Sequence, residues 1–280
     1  MMEHINWYPG HMKKTRELIA ENLKMVDIVI EVIDARIPVS SRNPIIDELV
    51  KSKRRLIILN KSDLSDPKAN EAWAETFKKQ GNLVLTMNCM TGIGVGQLYK
   101  LLSRLQDEKN EGQLRKKSLR MMIVGVPNVG KSSLINRMTG KKSAKTGDRP
   151  GVTKGKQWLG LENGMQLLDT PGILWPKFED PKVGLNLAFC GSIKDEILDT
   201  ASLALELIKV LQRDYPQLLR ERYKLDELDE DALVNMEAIA AKRGFILPGK
   251  RIDYERCART LLDEFRSGKI GNITLEKVQA

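Results

Sequence analysis

Residues 125–132 read GVPNVGKS, and the spacing G-x4-G-K-S is built to grip a chain of phosphates. Gly125 and Gly130 let the backbone curl so that its N–H groups point inward at anionic oxygens. A helix starting at this point adds the partial positive charge of its N-terminus. Lys131 is the reach to the β- and γ-phosphates, and the Ser132 hydroxyl is a ligand for Mg²⁺. Asn128, Val129, Gly130, Lys131, Ser132 and Ser133 are the candidate phosphate-side contacts.

Three further segments narrow the nucleotide. DTPG (169–172) places Asp169 as a second Mg²⁺ group and the Gly172 N–H as a γ-phosphate donor. Thr153, between the first two phosphate motifs, could ligate Mg²⁺ only when the γ-phosphate is present, which would make it a switch. NKSD (60–63) supplies Asp63, whose carboxylate can accept from N1–H and the exocyclic amine of guanine. Adenine offers neither donor on that edge and would leave the carboxylate unpaired. Asn60 supports the loop, the Lys61 stem can cover the base, and NCM (88–90) can offer an N–H, from Cys89 or nearby, to guanine O6. Asn88 belongs to the same loop. The bound species is then GTP or GDP. Each segment has a plainer reading as a polar turn or glycine loop, and the combination outweighs it.

The elements that must position these groups alternate. DIVIEVID (27–34), RLIILN (55–60), NLVLTMN (82–88) and LRMMIVG (119–125) read as buried strands. Helices are expected at 11–25, 43–52, 67–80 and 95–108, and after the phosphate loop. QWLGLE and MQLLDT flank Asn163-Gly164 as a hairpin. This is an α/β domain with a mainly parallel sheet. From about residue 200 the pattern turns helical and strandless. The expected division is residues 1–195 and a helical domain at 196–280.

Composition bounds the rest. The chain has 280 residues, 41% of them apolar, and no apolar run of membrane-spanning length. The N-terminus lacks the layout of a secretory signal. Cys89, Cys190 and Cys257 are odd in number and unpaired in spacing, which fits a reducing cytoplasm. The net charge is +9, and residues 115–156 hold 12 basic residues against one acid, Asp148. That excess exceeds what a nucleotide needs and points to nucleic acid.

The order of the motifs is unusual. In Ras-like GTPases the phosphate loop comes first and NKxD last. Here NKSD precedes GVPNVGKS, Thr153 and DTPG, as in a chain circularly permuted across the linker 109–118. The segment after DTPG then leads into the C-terminal helices, so γ-phosphate loss at Gly172 would pull on them. This order, with WYPGHM (7–12), DARIP (34–38), GDRPGVTKG (147–155), DTPGILWP (169–176) and the stretch LPGKRIDYERCARTLLDEFRSGKIG, resembles the YlqF family of circularly permuted GTPases over almost the whole chain.

The resemblance implies a permuted Ras-like fold with a C-terminal helical, RNA-contacting domain. It also implies a cytoplasmic factor for a late step in large ribosomal subunit maturation. Such a factor binds the precursor and its rRNA in the GTP state and leaves after hydrolysis. A monomer is expected. GTPases with Asn in the phosphate loop use it to hold K⁺, which makes Asn128 a candidate K⁺ ligand. Ile173 stands where most Ras-like enzymes have a water-orienting Gln. His11, after permutation, could approach the γ-phosphate and take that role, or it could merely begin a helix. Two rivals remain: a nucleotide-dependent metabolic enzyme such as a kinase, and an RNA-binding scaffold with a poorly hydrolysing GTP site.

Overall fold

β1 (Ile28–Asp34) is a seven-residue run of mainly β-branched residues buried along its whole length, so it sits mid-sheet with both faces covered. A computed structural model describes residues 17, 19–140, 157–161, 163–169, 178, 180–195 and 198–278, the side chains of Gln157 and Asp169 excepted. His11, Thr153, Gly172 and Ile173 lie outside the described residues, as do WYPGHM and GDRPGVTKG.

The strands that follow are β2 (Arg54–Asn60), β3 (Leu83–Thr86), β4 (Arg120–Val124), β5 (Gln157–Gly160) and β6 (Gln166–Asp169). They form one six-stranded sheet in the order β3-β2-β1-β4-β6-β5. All neighbouring pairs are parallel except β5–β6. The strand leading into the phosphate loop is fourth in the chain yet central in the sheet. That is the arrangement expected when a Ras-like sheet keeps its order and its chain is permuted. The helices around the sheet are α1 (19–23), α2 (Pro44–Leu49), α3 (Pro67–Lys79), α4 (Val95–Asn110) and α5 (Lys131–Thr139). α2 and α3 start as their sequences dictate, with Asn43 or Asp66 accepting from the first turn and Pro at the opening position.

Alternation along the strands splits the core. Ile28, Ile30, Val32, Leu56, Ile58, Met121 and Ile123 face one way, onto α4 and α5 residues such as Leu98, Leu102 and Leu134. Val29, Met122, Val124 and Leu168 face the other way, onto Ile19, Leu23, Ile46 and Val50. The join between α4 and β4 is tied at both ends. Lys109 donates to Ser118 O, and Asn110 exchanges bonds with Lys117.

The hairpin closes through a longer connection than a bare two-residue turn. Leu161 N donates to Met165 O, and Gly164 inside that loop takes a φ of 71°.

After the sheet come α6 (Pro181–Phe189), α7 (Thr200–Asp214), α8 (Pro216–Tyr223), α9 (Ala232–Arg243) and α10 (Tyr254–Arg266). The expectation of a strandless C-terminal region needs correcting. β7 (Ile246–Leu247) and β8 (Arg251–Ile252) pair antiparallel across the three residues Pro248-Gly249-Lys250, a turn in which Gly249 and Lys250 both take positive φ. The cluster that fills one face of the sheet continues without a break into these helices through Leu187, Phe189, Leu207, Leu261 and Phe265. The last described stretch, 270–278, returns to the sheet.

Candidate nucleotide site

The carboxyl ends of the parallel strands bring the motifs together, as open α/β sheets do with their ligands. β4 runs into the phosphate loop, β2 ends on Asn60, and β6 ends on Asp169. The phosphate loop and the end of β2 border a cleft of about 1110 Å³ lined by Asn60, Lys61, Asp63, Asn88, Asn128, Gly130, Lys131, Ser132 and Ser133.

The phosphate loop has the backbone that its glycines permit. Gly125 takes φ 149°, and a Cβ there would meet Val32 O at 2.4 Å. Gly130, at φ 102°, opens α5, and a Cβ on it would lie 2.2 Å from Asn60 Nδ2. Asn128 also sits in the left-handed region, at φ 61°. Lys131 is buried and donates to Val126 O at 2.7 Å, which holds the ammonium across the mouth of its own loop.

Asn60 ties three loops into one site. Its Nδ2 donates to Val129 O at 2.6 Å in the phosphate loop, and its Oδ1 accepts from Cys89 N at 2.9 Å in the NCM loop. Cys89 was expected to offer its N–H, or a neighbour's, to guanine O6. Its N–H is committed to Asn60, and its side chain is 2% exposed in the core. Asn88 and Met90 are the NCM residues on the cleft wall, and the Met90 N–H donates to Asn88 Oδ1. Val129 likewise contributes its carbonyl from the core rather than a side chain to the cleft.

The register of β1 on β2 places Asp34 beside Asn60. Lys61, one residue further on, therefore reaches Asp34 Oδ2 at 2.8 Å. Arg36 grips the same carboxylate with Nε and Nη2 at 2.9 and 2.8 Å. Burial works to raise the Asp34 carboxyl, but Arg36 and Lys61 outweigh it and hold the group well below the usual carboxylate range. Arg36, the third residue of DARIP, is given no catalytic role by the sequence. It is 1% exposed, its Nη1 donates to Arg266 O, and it lies over the Phe265 ring, so it joins the base loop to α10.

The opposite wall carries residues that no motif announced. Cys190 to Asp195 line it, together with Asp263 and Arg266 of α10. Arg266 donates to Ala188 O and Phe189 O and pairs with Asp195. The loop so fixed presents Gly191 O to Asn128 Nδ2 at 2.6 Å. The Cys190 thiol is pushed up to about 12 by burial, as is that of Cys89, so neither is a nucleophile near neutrality.

The oxygen donors suit Mg²⁺. The Ser132 hydroxyl is in the cleft, and the chain of Asp169 runs beside that of β4. Among the described residues no three His, Cys, Asp or Glu side chains converge on a metal position. An ion here would be completed by phosphate oxygens.

The family model described as "RsgA GTPase" matches residues 10–179, and "50S ribosome-binding GTPase" matches residues 120–242. Ribosome biogenesis GTPase A of Bacillus cereus is 45% identical over 97% of this chain and 93% of its own length. That of Thermotoga maritima is 34% identical over 98% and 94%. The GDP-bound structure of TM YlqF superposes with a TM-score of 0.71 at 31% identity, covering 94% of this chain and all of the other. GNP-bound YlqF from T. maritima gives 0.69, also at 31% identity, over 94% and 98%. With a phosphate loop and an NKSD loop on one cleft, and a permuted sheet and near full-length similarity shared with these relatives, the chain belongs to the YlqF family, the ribosome biogenesis GTPase A group of circularly permuted GTPases.

Proposed function

We propose that this GTPase is an assembly factor for the large ribosomal subunit, acting in the cytoplasm at a late step. It binds the precursor and its rRNA in the GTP state and leaves after hydrolysis. The observation that carries this reading is the shared wall of the cleft. Asp263 and Arg266 belong to the C-terminal helices, yet they face the nucleotide loops. A change in the occupant of the cleft therefore reaches the surface of those helices. The relatives' name, and the description of a matching family as 50S ribosome-binding, supply the partner. The division at residue 195 is part of the same reading, with 196–280 as the particle-facing unit.

Exposed basic groups give the RNA face its chemistry. Arg243 is committed to Glu264, and Arg256 lies over Phe245. Lys250 and Arg251, at the β7–β8 tip, and Arg115, Lys116 and Lys117, on the linker, are exposed and fit phosphate contacts. No helix among the described residues is long and apolar enough to cross a membrane.

Within the cleft, Lys131 holds the β- and γ-phosphates and Asp63 reads guanine. Ser132, Asp169 and Thr153 hold Mg²⁺, which supplies charge neutralisation at the phosphates. Asn128 holds K⁺ through Oδ1, since its Nδ2 is turned to Gly191 O. Hydrolysis faster in K⁺ than in Na⁺, with the advantage lost in Asn128→Ala, is the expected result; equal rates in both salts reject it. His11 orients the water in place of Ile173, and an unchanged single-turnover rate in His11→Ala sinks that assignment.

The reading as a whole is tested by hydrolysis with and without purified large-subunit particles. Stimulation by the particles supports it. An unchanged rate removes the coupling between partner and cleft and leaves the scaffold reading.

A further inference from the structure

The segment after α10 crosses the guanine-reading loop as a strap. Its path depends on two glycines. Gly268, at φ 74°, lets the chain pass Leu64, whose Cδ2 would lie 2.7 Å from a Cβ there. Gly271, at φ 140°, lets it pass Leu218 at 2.8 Å. Ile270, Ile273, Thr274 and Leu275 are then buried. Thr274 is anchored at both ends of its peptide unit by the Tyr215 hydroxyl, which donates to Thr274 O and accepts from Thr274 N.

What the strap holds is four consecutive residues starting at the base-reading aspartate. Asn272 Nδ2 donates to Asp63 O at 3.1 Å and to Ser65 O at 3.2 Å. Ile273 N donates to Leu64 O at 3.0 Å. Thr274 Oγ1 accepts from Asp66 N at 3.0 Å. The remaining side of the loop is held through Lys61 and Asp34 by Arg36, and Arg36 O accepts from Leu275 N. Asn272 itself is exposed and outside any hydrophobic cluster, so its carboxamide is committed to this loop rather than to packing.

We propose that Asn272 is a positioning residue for guanine selection: by clamping the backbone on both sides of Leu64, it fixes where the Asp63 carboxylate stands against the base. The C-terminal segment then belongs to the specificity machinery. The energetic reason is geometric. A carboxylate accepting two hydrogen bonds from one base edge needs both oxygens in line, and alignment fails steeply with small rotations. With Asn272 truncated, the Asp63–Leu64 peptide keeps its N–H bond to Lys61 O but loses the clamp on its carbonyl, so it can tilt about the bonds that remain.

The proposal rests on Asp63 reading guanine, and comparing GDP with IDP separates the two claims. IDP keeps N1–H and O6 but lacks the exocyclic amine. Dissociation constants for both nucleotides are measured for the parent, Asn272→Ala and the isosteric Asn272→Asp. The parent should prefer GDP by about 10- to 100-fold, the worth of one hydrogen bond to a charged group. In both variants the ratio should fall to about threefold or less, with most of the loss in GDP. A general loosening of the site would weaken both nucleotides equally and leave the ratio intact, and that result overturns the proposal. A parent that does not distinguish GDP from IDP would instead refute the reading of Asp63.

Discussion

Truncating Asn60 to alanine should disassemble the site without unfolding the protein. The side chain is 3% exposed and makes two bonds, to Val129 O at 2.6 Å and from Cys89 N at 2.9 Å. Asn60→Ala leaves that carbonyl and that N–H without partners. A buried group left unpaired costs about 1–3 kcal/mol, so the pair costs about 2–6 kcal/mol if the loops keep their spacing. Both loops border a wide cleft, so in the free protein they can relax and hydrate, which relieves most of that cost. The cost returns when a nucleotide demands the native spacing of phosphate loop and base loop. About 2–4 kcal/mol should therefore appear in binding, weakening GDP roughly 30- to 1,000-fold. The melting temperature of the nucleotide-free protein should fall by only about 5 °C or less. Calorimetric titration with GDP, alongside thermal melts, reads both quantities. A dissociation constant within about threefold of the parent's would refute the claim that Asn60 holds the two loops in register.

Arg36→Met removes a buried guanidinium and leaves Lys61 as the cation paired with the Asp34 carboxylate, beside the backbone N–H of residue 36. Breaking a buried pair costs about 3–5 kcal/mol, so the melting temperature should drop by roughly 6–15 °C; a drop under about 2 °C contradicts the account. Asp34 also sets an acid dependence. Its folded-state pKa is depressed, so its contribution is complete above the unfolded value near 3.8 and is lost as pH falls towards the folded value. The stability gap between the parent and Asp34→Asn should stay constant from about pH 7 to 5 and narrow below about pH 4. A gap that widens on acidification would contradict that ion pair.

What could be read from the sequence was local in its cause. β1, β2 and β4 appear within a residue or two of the expected runs, because a strand buried on both faces must be almost wholly apolar and β-branched. The two phosphate glycines follow from backbone angles that other residues avoid. α6 and α8 carry legible marks of their own: Asp180 accepts from Lys182 N ahead of Pro181, and Pro216 opens its helix after Tyr215. The Pro248-Gly249 turn marked the small hairpin in the same way. The strap was not legible. Asn272 and Asp63 are 209 residues apart, and GNIT has no local signal that distinguishes it from any surface loop. The same holds for Arg266, whose role depends on α6 ending beside α10. Cys89 shows the converse limit: the sequence leaves the donor to guanine O6 at Cys89 or a neighbour, and only the fold shows the Asn60 side chain taking the Cys89 N–H.

Co-sedimentation with large-subunit particles tests the central claim most directly, that the occupant of this cleft governs the partner through the C-terminal helices. The protein is incubated with the particles under GDP and under a non-hydrolysable GTP analogue, and the bound fraction is measured. The account predicts retention at least about tenfold tighter with the analogue, the equivalent of about 1.4 kcal/mol of coupling. Equal retention under the two nucleotides would contradict it.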